Sequence, residues 1–427
     1  MHILTKDGVF RFISTPVNCN DYITPLITDS HMHLLSFGKK LMTPSLENLT
    51  LAQIKELIVK KLQEGSSPIF LRGWDESTAL VTRRFIDEIT IETPVILIRR
   101  CGHKAVVNKP VIDTVDFSAE SSYVDPVSGT VTENAIKILY SAIKENFDIK
   151  KAFEHATAYL TSKGYGFIHS DDLHGITPEE LPFENSKLKI FEKVAVNNCD
   201  ELLSFSEQGY FEYFRSVKIY VDGSFGARTA LLSQKYKDTE DLGQKVWNKD
   251  QIAQALNFCE EKNLHLAMHA IGDGAIDEIL GAIEQVKPRK LHRIIHASLI
   301  RDEQLEYIAS HPVVLDVQPA FIESDKTLIP LCLGERAALC YRFKDFFTYS
   351  IPVTFSSDAP VETPDWVRDL RILSESGVSL RQSIVSMTYG ASVIDDFERD
   401  PLTTGKYLVF NCDPFEKISI PQIFLIN

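Results

Sequence analysis

Short apolar runs recur along the chain, separated by stretches in which apolar residues repeat every three to four positions. Runs alternating with helix-length amphipathic segments are the pattern of parallel β-α-β units. Eight runs read as strands: Leu26–His33, Gly166–Asp171, Leu188–Val196, Val217–Asp222, His265–Ile271, Arg293–Leu299, Val313–Pro319 and Val353–Asp358. Around the fifth of them, Gln251–Lys262 and Ala275–Val286 carry apolar residues at helical spacing. Eight strands with intervening helices predict an α/β fold, a (β/α)8 TIM barrel. The chain's 427 residues accommodate such a barrel, which takes about 250 residues, with additions.

Some 130 residues separate the first predicted strand from the second, far beyond an ordinary βα connection. That stretch has elements of its own: helices at Leu51–Leu62 and Glu133–Asn146, and strands at Pro68–Leu71 and Pro94–Arg99. It predicts a large insertion after strand 1, residues 35–163, within a barrel domain of residues 26–399. Loops after barrel strands gather on the catalytic face, so an insertion there is expected to cover the active site. The two chain ends, residues 1–25 and 400–427, contain short strand-like runs (GVFRFIS, KYLVF, ISIPQIFLI) and are expected to pair as a small, reduced β-structure.

Composition narrows the function classes. The apolar fraction of 44% and charged fraction of 24% are ordinary for a globular protein, and no apolar run reaches membrane-spanning length. A net charge of −14 repels nucleic acid and anionic membranes, leaving a small-molecule substrate as the expected partner and a homodimer as the candidate assembly. The opening MHILTKDGVF interrupts its apolar run with Lys6, Asp7 and Gly8, unlike a secretory leader. Seven cysteines form no close metal-type pair and cannot complete a disulfide framework, so the expected location is cytoplasmic.

Candidate chemistry collects at strand ends. In Asp29-Ser-His31-Met-His33, the period of two sends both imidazoles to one side, where they can share a divalent cation. His269 (LHLAMHAIGD) and His296 (HRIIHASLI) lie near the ends of the fifth and sixth predicted strands, and Asp358 (PVTFSSDAP) ends the eighth. Each alone is compatible with a capping or hydrogen-bonding role. Four strands delivering ligand-type residues at one end point to a metal site. In VKIYVD the β-branched positions face outward, which turns Lys218, Tyr220 and Asp222 into the interior. A buried ammonium needs a partner or a chemical change: an ion pair with Asp222 or Asp358, or carboxylation by CO2 into an anionic ligand.

The chain resembles the amidohydrolase superfamily, within it the YtcJ-like metal-dependent hydrolases (the amidohydrolase 3 group). The resemblance is carried by DSHMH (29–33), FLRGWDES (70–77), PVILIRRCGHKAVVN (94–108), VKIYVDGSFGARTALL (217–232), HAIGDGAID (269–277), RIIHA (293–297) and SSDAPVE (356–362). It implies a barrel whose His-x-His pair, carboxylated lysine, two further histidines and aspartate surround one or two divalent metal ions, with zinc the expected metal. Those roles fall on His31, His33, Lys218, His269, His296 and Asp358. Three departures stand out. Only 28 residues precede the DSHMH segment, the Glu usual before the sixth-strand histidine is Ile295, and the customary Ala-Asp-Leu near the C-terminus is replaced around Lys406–Val409.

The reaction implied is hydrolysis of a non-peptide C–N, amide-like bond. The cation would lower the pKa of a bound water from about 15.7 towards about 7. Asp358 is the expected catalytic base and later acid. His103 or Arg228 is a candidate to polarise the substrate carbonyl, and Trp74 and Asp75 are candidates to line the substrate cover. Two other readings remain open on these residues: a lactone, ester or phosphoester hydrolase on the same scaffold, and a degenerate, non-catalytic barrel.

Overall fold

The computed structural model describes residues 1–12, 21–74, 79–99, 104–132, 134–143, 148–173 and 176–425. The chain divides into two compact units, Met1–Gly38 with Phe153–Asn427, and Lys39–Ala152.

Nine parallel segments organise the larger unit: β1 (Ile27–Met32), β2 (Tyr165–Ser170), β3 (Lys189–Glu192), β4 (Val194–Ala195), β5 (Ser216–Tyr220), β6 (His265–Ala270), β7 (His292–His296), β8 (Val313–Val317) and β9 (Val353–Phe355). They form two sheets, ordered β3-β2-β1 and β4-β5-β6-β7-β8-β9, with every neighbouring pair parallel. Only Lys193 separates β3 from β4, so one predicted strand, Leu188–Val196, serves both sheets. The Lys193 N–H donates to the Ser170 carbonyl (2.9 Å), and the Val196 N–H to the Lys218 carbonyl (2.9 Å). At the opposite margins, the Asp358 N–H donates to the His31 carbonyl (2.9 Å) and the His33 N–H to the Ala359 carbonyl (2.7 Å).

These strands are buried on both faces, as parallel sheets covered by helices must be. All residues of β1, β2, β7, β8 and β9 are buried. The covering helices follow from sequence. Lys249–Glu261 opens with a reciprocal Asn248–Gln251 cap (3.0 Å each way) and buries Ile252, Ala253, Ala255, Leu256 and Cys259 along one face. Asp273–Val286 buries Ala275, Ile276, Ile279, Leu280, Ala282 and Ile283 in the same way.

Both chain ends join one five-stranded sheet, in the order Gln422–Leu425, Lys406–Phe410, Tyr22–Thr24, His2–Leu4, Phe10–Phe12. Ile3, Leu4, Ile23, Thr24, Leu408 and Phe410 are among its buried residues.

The Lys39–Ala152 unit is built on a second five-stranded sheet, in the order Ile69–Trp74, Val95–Arg99, Lys104–Val107, Thr130–Thr132, Val124–Asp125. The helix Leu51–Gln63, capped by Thr50 and Gln53, packs Ile54 and Ile58 into one of its cores. Helix Asn134–Ala142 contributes Ala135 and Leu139 to the other.

No described helix is long and apolar enough to cross a membrane.

Candidate metal centre

Alternation along β1 sends His31 inward, and the chain turns just beyond the strand to place His33 beside it, ring centroids 5.5 Å apart. Both reach towards Asp358, three residues beyond the end of β9. His31 Nε2 lies 3.2 Å and His33 Nε2 3.6 Å from the same Asp358 oxygen, Oδ1. His296, at the end of β7, is 5.6 Å from His31 and 4.4 Å from His269 between ring centroids. Three of these residues, His31, His296 and Asp358, offer ligand atoms within 4.8 Å of one another, as do His31, His33 and Asp171. His269 belongs to neither group, and its Nε2 faces the Gly223 carbonyl at 3.0 Å.

The backbone is bent to achieve this. His296 (φ 79°), Ala297 (φ 44°) and Asp358 (φ 56°) all occupy the left-handed region, which side chains other than glycine enter only when the surroundings demand it. In β7 alternation gives the interior to Arg293 and Ile295; the left-handed turn at His296 brings the very next residue to the same side. Gln318, just past β8, receives His296 Nδ1 at 2.8 Å through its amide oxygen. That contact fixes the ring and leaves Nε2 for the site.

Electrostatics suits a cation. Burial, with Lys218 and Lys193 adding to it, holds the His31 imidazole well below its ordinary pKa. Burial and His269 do the same to His296, and burial and Lys218 bring His269 down to about 3. These three rings are neutral at neutral pH, the form in which imidazole binds metal. Burial also lowers His33, but Asp171 and Asp358 override it and raise this ring to about 9. A positive charge is therefore favoured between the two carboxylates. Asp358 itself is pushed up to about 6 by burial, opposed by His33 and Lys218. The buried His31 Nδ1 and Lys218 Nζ have no hydrogen-bond partner among the described residues. Neutral imidazole nitrogens and an anionic carboxylate fit a divalent cation with nitrogen and oxygen ligands.

Lys218 is fully buried, as its place in VKIYVD predicts, but its ion partner is neither Asp222 nor Asp358. Its Nζ lies 3.5 Å from Asp171 Oδ2 and 4.7 Å from the Tyr220 ring centroid. Asp222 is engaged elsewhere: its carboxylate accepts from the N–H groups of Leu231 (2.9 Å), Ile271 (3.0 Å) and Gly272 (2.8 Å). It ties the loop after β5 to the loop after β6. The contact leaves no room for a side chain at Gly272, where a Cβ would lie 2.0 Å from the Leu231 carbonyl oxygen. The same packing accounts for Gly274, where a Cβ would lie 2.8 Å from the Leu232 carbonyl carbon.

The four candidate substrate contacts fare differently. Trp74 is buried in a core of the Lys39–Ala152 unit, with its indole N–H donating to the Leu97 carbonyl at 3.0 Å. It is a packing residue, because an indole whose ring and N–H are both engaged offers a substrate nothing. Arg228 spends its guanidinium on Asp238 (3.0 Å to each oxygen) and on the Phe225 carbonyl (2.7 Å), so it shapes its own loop rather than polarising a carbonyl. Asp75 and His103 lie outside the described residues. The residue that sequence reasoning missed is Asp171, although the same strand-end rule that found Asp358 applies to it.

The pattern of the amidohydrolase family matches residues 20–370. The chain belongs to the amidohydrolase family. The putative amidohydrolase YtcJ of Bacillus subtilis (strain 168) is 28% identical over 384 residues, 80% of this chain and 71% of that protein. An N-substituted formamide deformylase of Arthrobacter pascens is 21% identical over 387 residues, 80% of this chain and 71% of the other. Among solved structures, an uncharacterized metal-dependent hydrolase from Pyrococcus furiosus superposes with a TM-score of 0.76 at 30% identity, covering 92% of this chain and 88% of its own. An amidohydrolase with such neighbours has a TIM-barrel-like α/β fold and metal-dependent hydrolytic chemistry, with a divalent metal.

Proposed function

We propose that this amidohydrolase cleaves a non-peptide C–N bond of a small molecule at the mouth of a (β/α)8 barrel. The ligands in this reading are His31, His33, Lys218, His269, His296 and Asp358, around one or two divalent ions, with zinc favoured by the nitrogen-rich donor set. The observation that carries it is that His31 and His33 both approach one Asp358 oxygen while His31, His296 and Asp358 lie within ligand spacing of one another. Closure of the strands into a barrel is supported by the backbone hydrogen bonds at both margins of the two sheets, at Lys193 and at Asp358. The C–N specificity is supported by the relative named for deformylating N-substituted formamides.

A bound divalent cation supplies Lewis acidity and a water acidic enough to act as nucleophile near neutral pH. Asp358, pushed up to about 6, is anionic at pH 7 yet close enough to titration to accept that water's proton and return it to the departing nitrogen. His31, His269 and His296 remain neutral donors throughout. Lys218, whose burial lowers its pKa, can present the free amine that attacks CO2. The N–C bond forms as one C=O π bond of CO2 opens onto its oxygen, the N–H proton is released to water, and the neutral amine becomes a carbamate anion that can serve as a ligand.

Metal analysis of the freshly purified protein, followed by a panel of N-formyl, amide, lactone and phosphotriester substrates, tests this reading. Stoichiometric metal with turnover confined to the C–N substrates is the expected result. Preference for a lactone or phosphotriester overturns the bond assignment. Folded protein without metal or metal-restored activity overturns the enzyme.

A further inference from the structure

Asp171, directly after β2, is fully buried and stands among three of the site's polar groups. Its Oδ1 lies 2.7 Å from His33 Nδ1, at ion-pair distance, and its backbone carbonyl lies 3.4 Å from the same nitrogen. Its Oδ2 accepts from the Tyr220 hydroxyl at 3.1 Å and lies 3.5 Å from Lys218 Nζ. The other nitrogen of His33, Nε2, is the one that faces Asp358 and the His31 Nε2 beside it.

We propose that Asp171 is the positioning residue of this metal centre, fixing the ring and tautomer of His33 through Nδ1 while its second oxygen holds Lys218 and Tyr220. The proposal rests on the reading of His33 as a metal ligand. A carboxylate behind a ligating imidazole keeps the hydrogen on the far nitrogen, frees the near lone pair and raises the ligand's basicity. Asp171 is buried between the two proposed ligands it supports, His33 and Lys218. It is also the one carboxylate within ion-pairing distance of Lys218 among the described residues, although that lysine sits on a different strand. Asp171 thus links β1, β2 and β5 at the level of the site. No inward carboxylate comes from β7, where Ile295 occupies the position.

The test measures zinc affinity by chelator competition, and the visible spectrum of the cobalt-loaded protein, for the intact chain and for Asp171→Asn, His33→Ala and the double variant. Removal of such a supporting carboxylate typically costs about 10- to 100-fold in metal affinity. The expected result is a loss of that size in Asp171→Asn and a clearly smaller further loss when it is added to His33→Ala, where only the hold on Lys218 remains to be lost. A general loss of packing would instead lower affinity equally in both backgrounds. Affinity unchanged in Asp171→Asn overturns the proposal. So does a full extra loss in the double variant, which would make Asp171 a direct ligand, as the spacing of His31, His33 and Asp171 also permits. If Asp171→Asn does not fold, histidine 15N shifts of the zinc-loaded wild-type chain decide the matter: His33 must carry its hydrogen on Nδ1. Wild-type protein that binds no metal counts against the proposed function itself, a different outcome from an Asp171→Asn variant that binds normally.

Discussion

The backbone N–H of Asp358 donates to the carbonyl of His31 at 2.9 Å, while the side chains of the same two residues meet at 3.2 Å. One pair of residues both ties β1 to the turn after β9 and brings together two of the proposed ligands. The join that organises the sheets and the site is the same join, so a site this far apart in sequence needs no separate scaffold.

Asp358→Asn tests the proton-transfer role with little disturbance of the fold, because asparagine tolerates the left-handed backbone at this position. The expected outcome is a chain with an unchanged melting temperature in its metal-free form and kcat lower by at least about 10², the low end of general acid–base contributions. Steady-state kinetics on the best substrate of the panel reads this directly.

Lys218→Ala removes the amine proposed to carry the carbamate. Activity and bound metal should both fall to background, and short carboxylic acids such as acetate or propionate should restore part of each. A fully metallated, active alanine variant without added acid would remove Lys218 from the ligand set.

His292, at the start of β7, gives the protein a pH-dependent stability remote from the metal. Its Nδ1 accepts from the Leu266 N–H at 2.9 Å, and its Nε2 lies 3.1 Å from Glu260 Oε1, so the ring is used as a neutral tautomer. Burial, partly opposed by Glu260, lowers it to about 4. The unfolded chain therefore takes up this proton first, near the ordinary value of about 6.5. The stabilisation is complete above about pH 6.5 and is lost as the pH falls towards 4, at up to about 1.4 kcal/mol per unit. Denaturant midpoints at pH 7 and pH 5 should separate in the wild type and separate less in His292→Asn, which keeps an acceptor near Nδ1 and cannot titrate.

Arg293→Leu probes the interior below the metal. The guanidinium pairs with Asp316, bonds the Ser30 carbonyl and contacts His169 Nδ1 at 2.9 Å. His169 in turn reaches Asp395 at 2.6 Å. Removing the arginine leaves Asp316 as an uncompensated buried charge, and unfolding free energy should fall by about 3–5 kcal/mol. Equilibrium denaturation measures it; a loss below about 1 kcal/mol would show that the pair is replaceable.

The strand positions were legible because a parallel, doubly covered strand has a local signature: a short run rich in apolar and β-branched residues. The predicted ends overshot, however. Leu26–His33 and Val353–Asp358 are observed as Ile27–Met32 and Val353–Phe355. Among the surplus residues, His33 and Asp358 lie past the strand ends and aim side chains at the site. Trp74 failed as a substrate contact for a related reason. Nothing in FLRGWDES distinguishes a tryptophan that lines a pocket from one enclosed by the Lys39–Ala152 core.

By itself the sequence determined the alternation of strands and helices, the family and the residue types that reach strand ends, since periodicity and side-chain chemistry are local properties. Tertiary structure alone decided that Lys218 meets Asp171 rather than Asp222 or Asp358, that Gln318 steadies His296, and that His269 turns towards Gly223. Those choices depend on strand register and on left-handed turns between segments up to hundreds of residues apart. No local pattern encodes such meetings, because each is fixed only once the neighbouring strands have aligned.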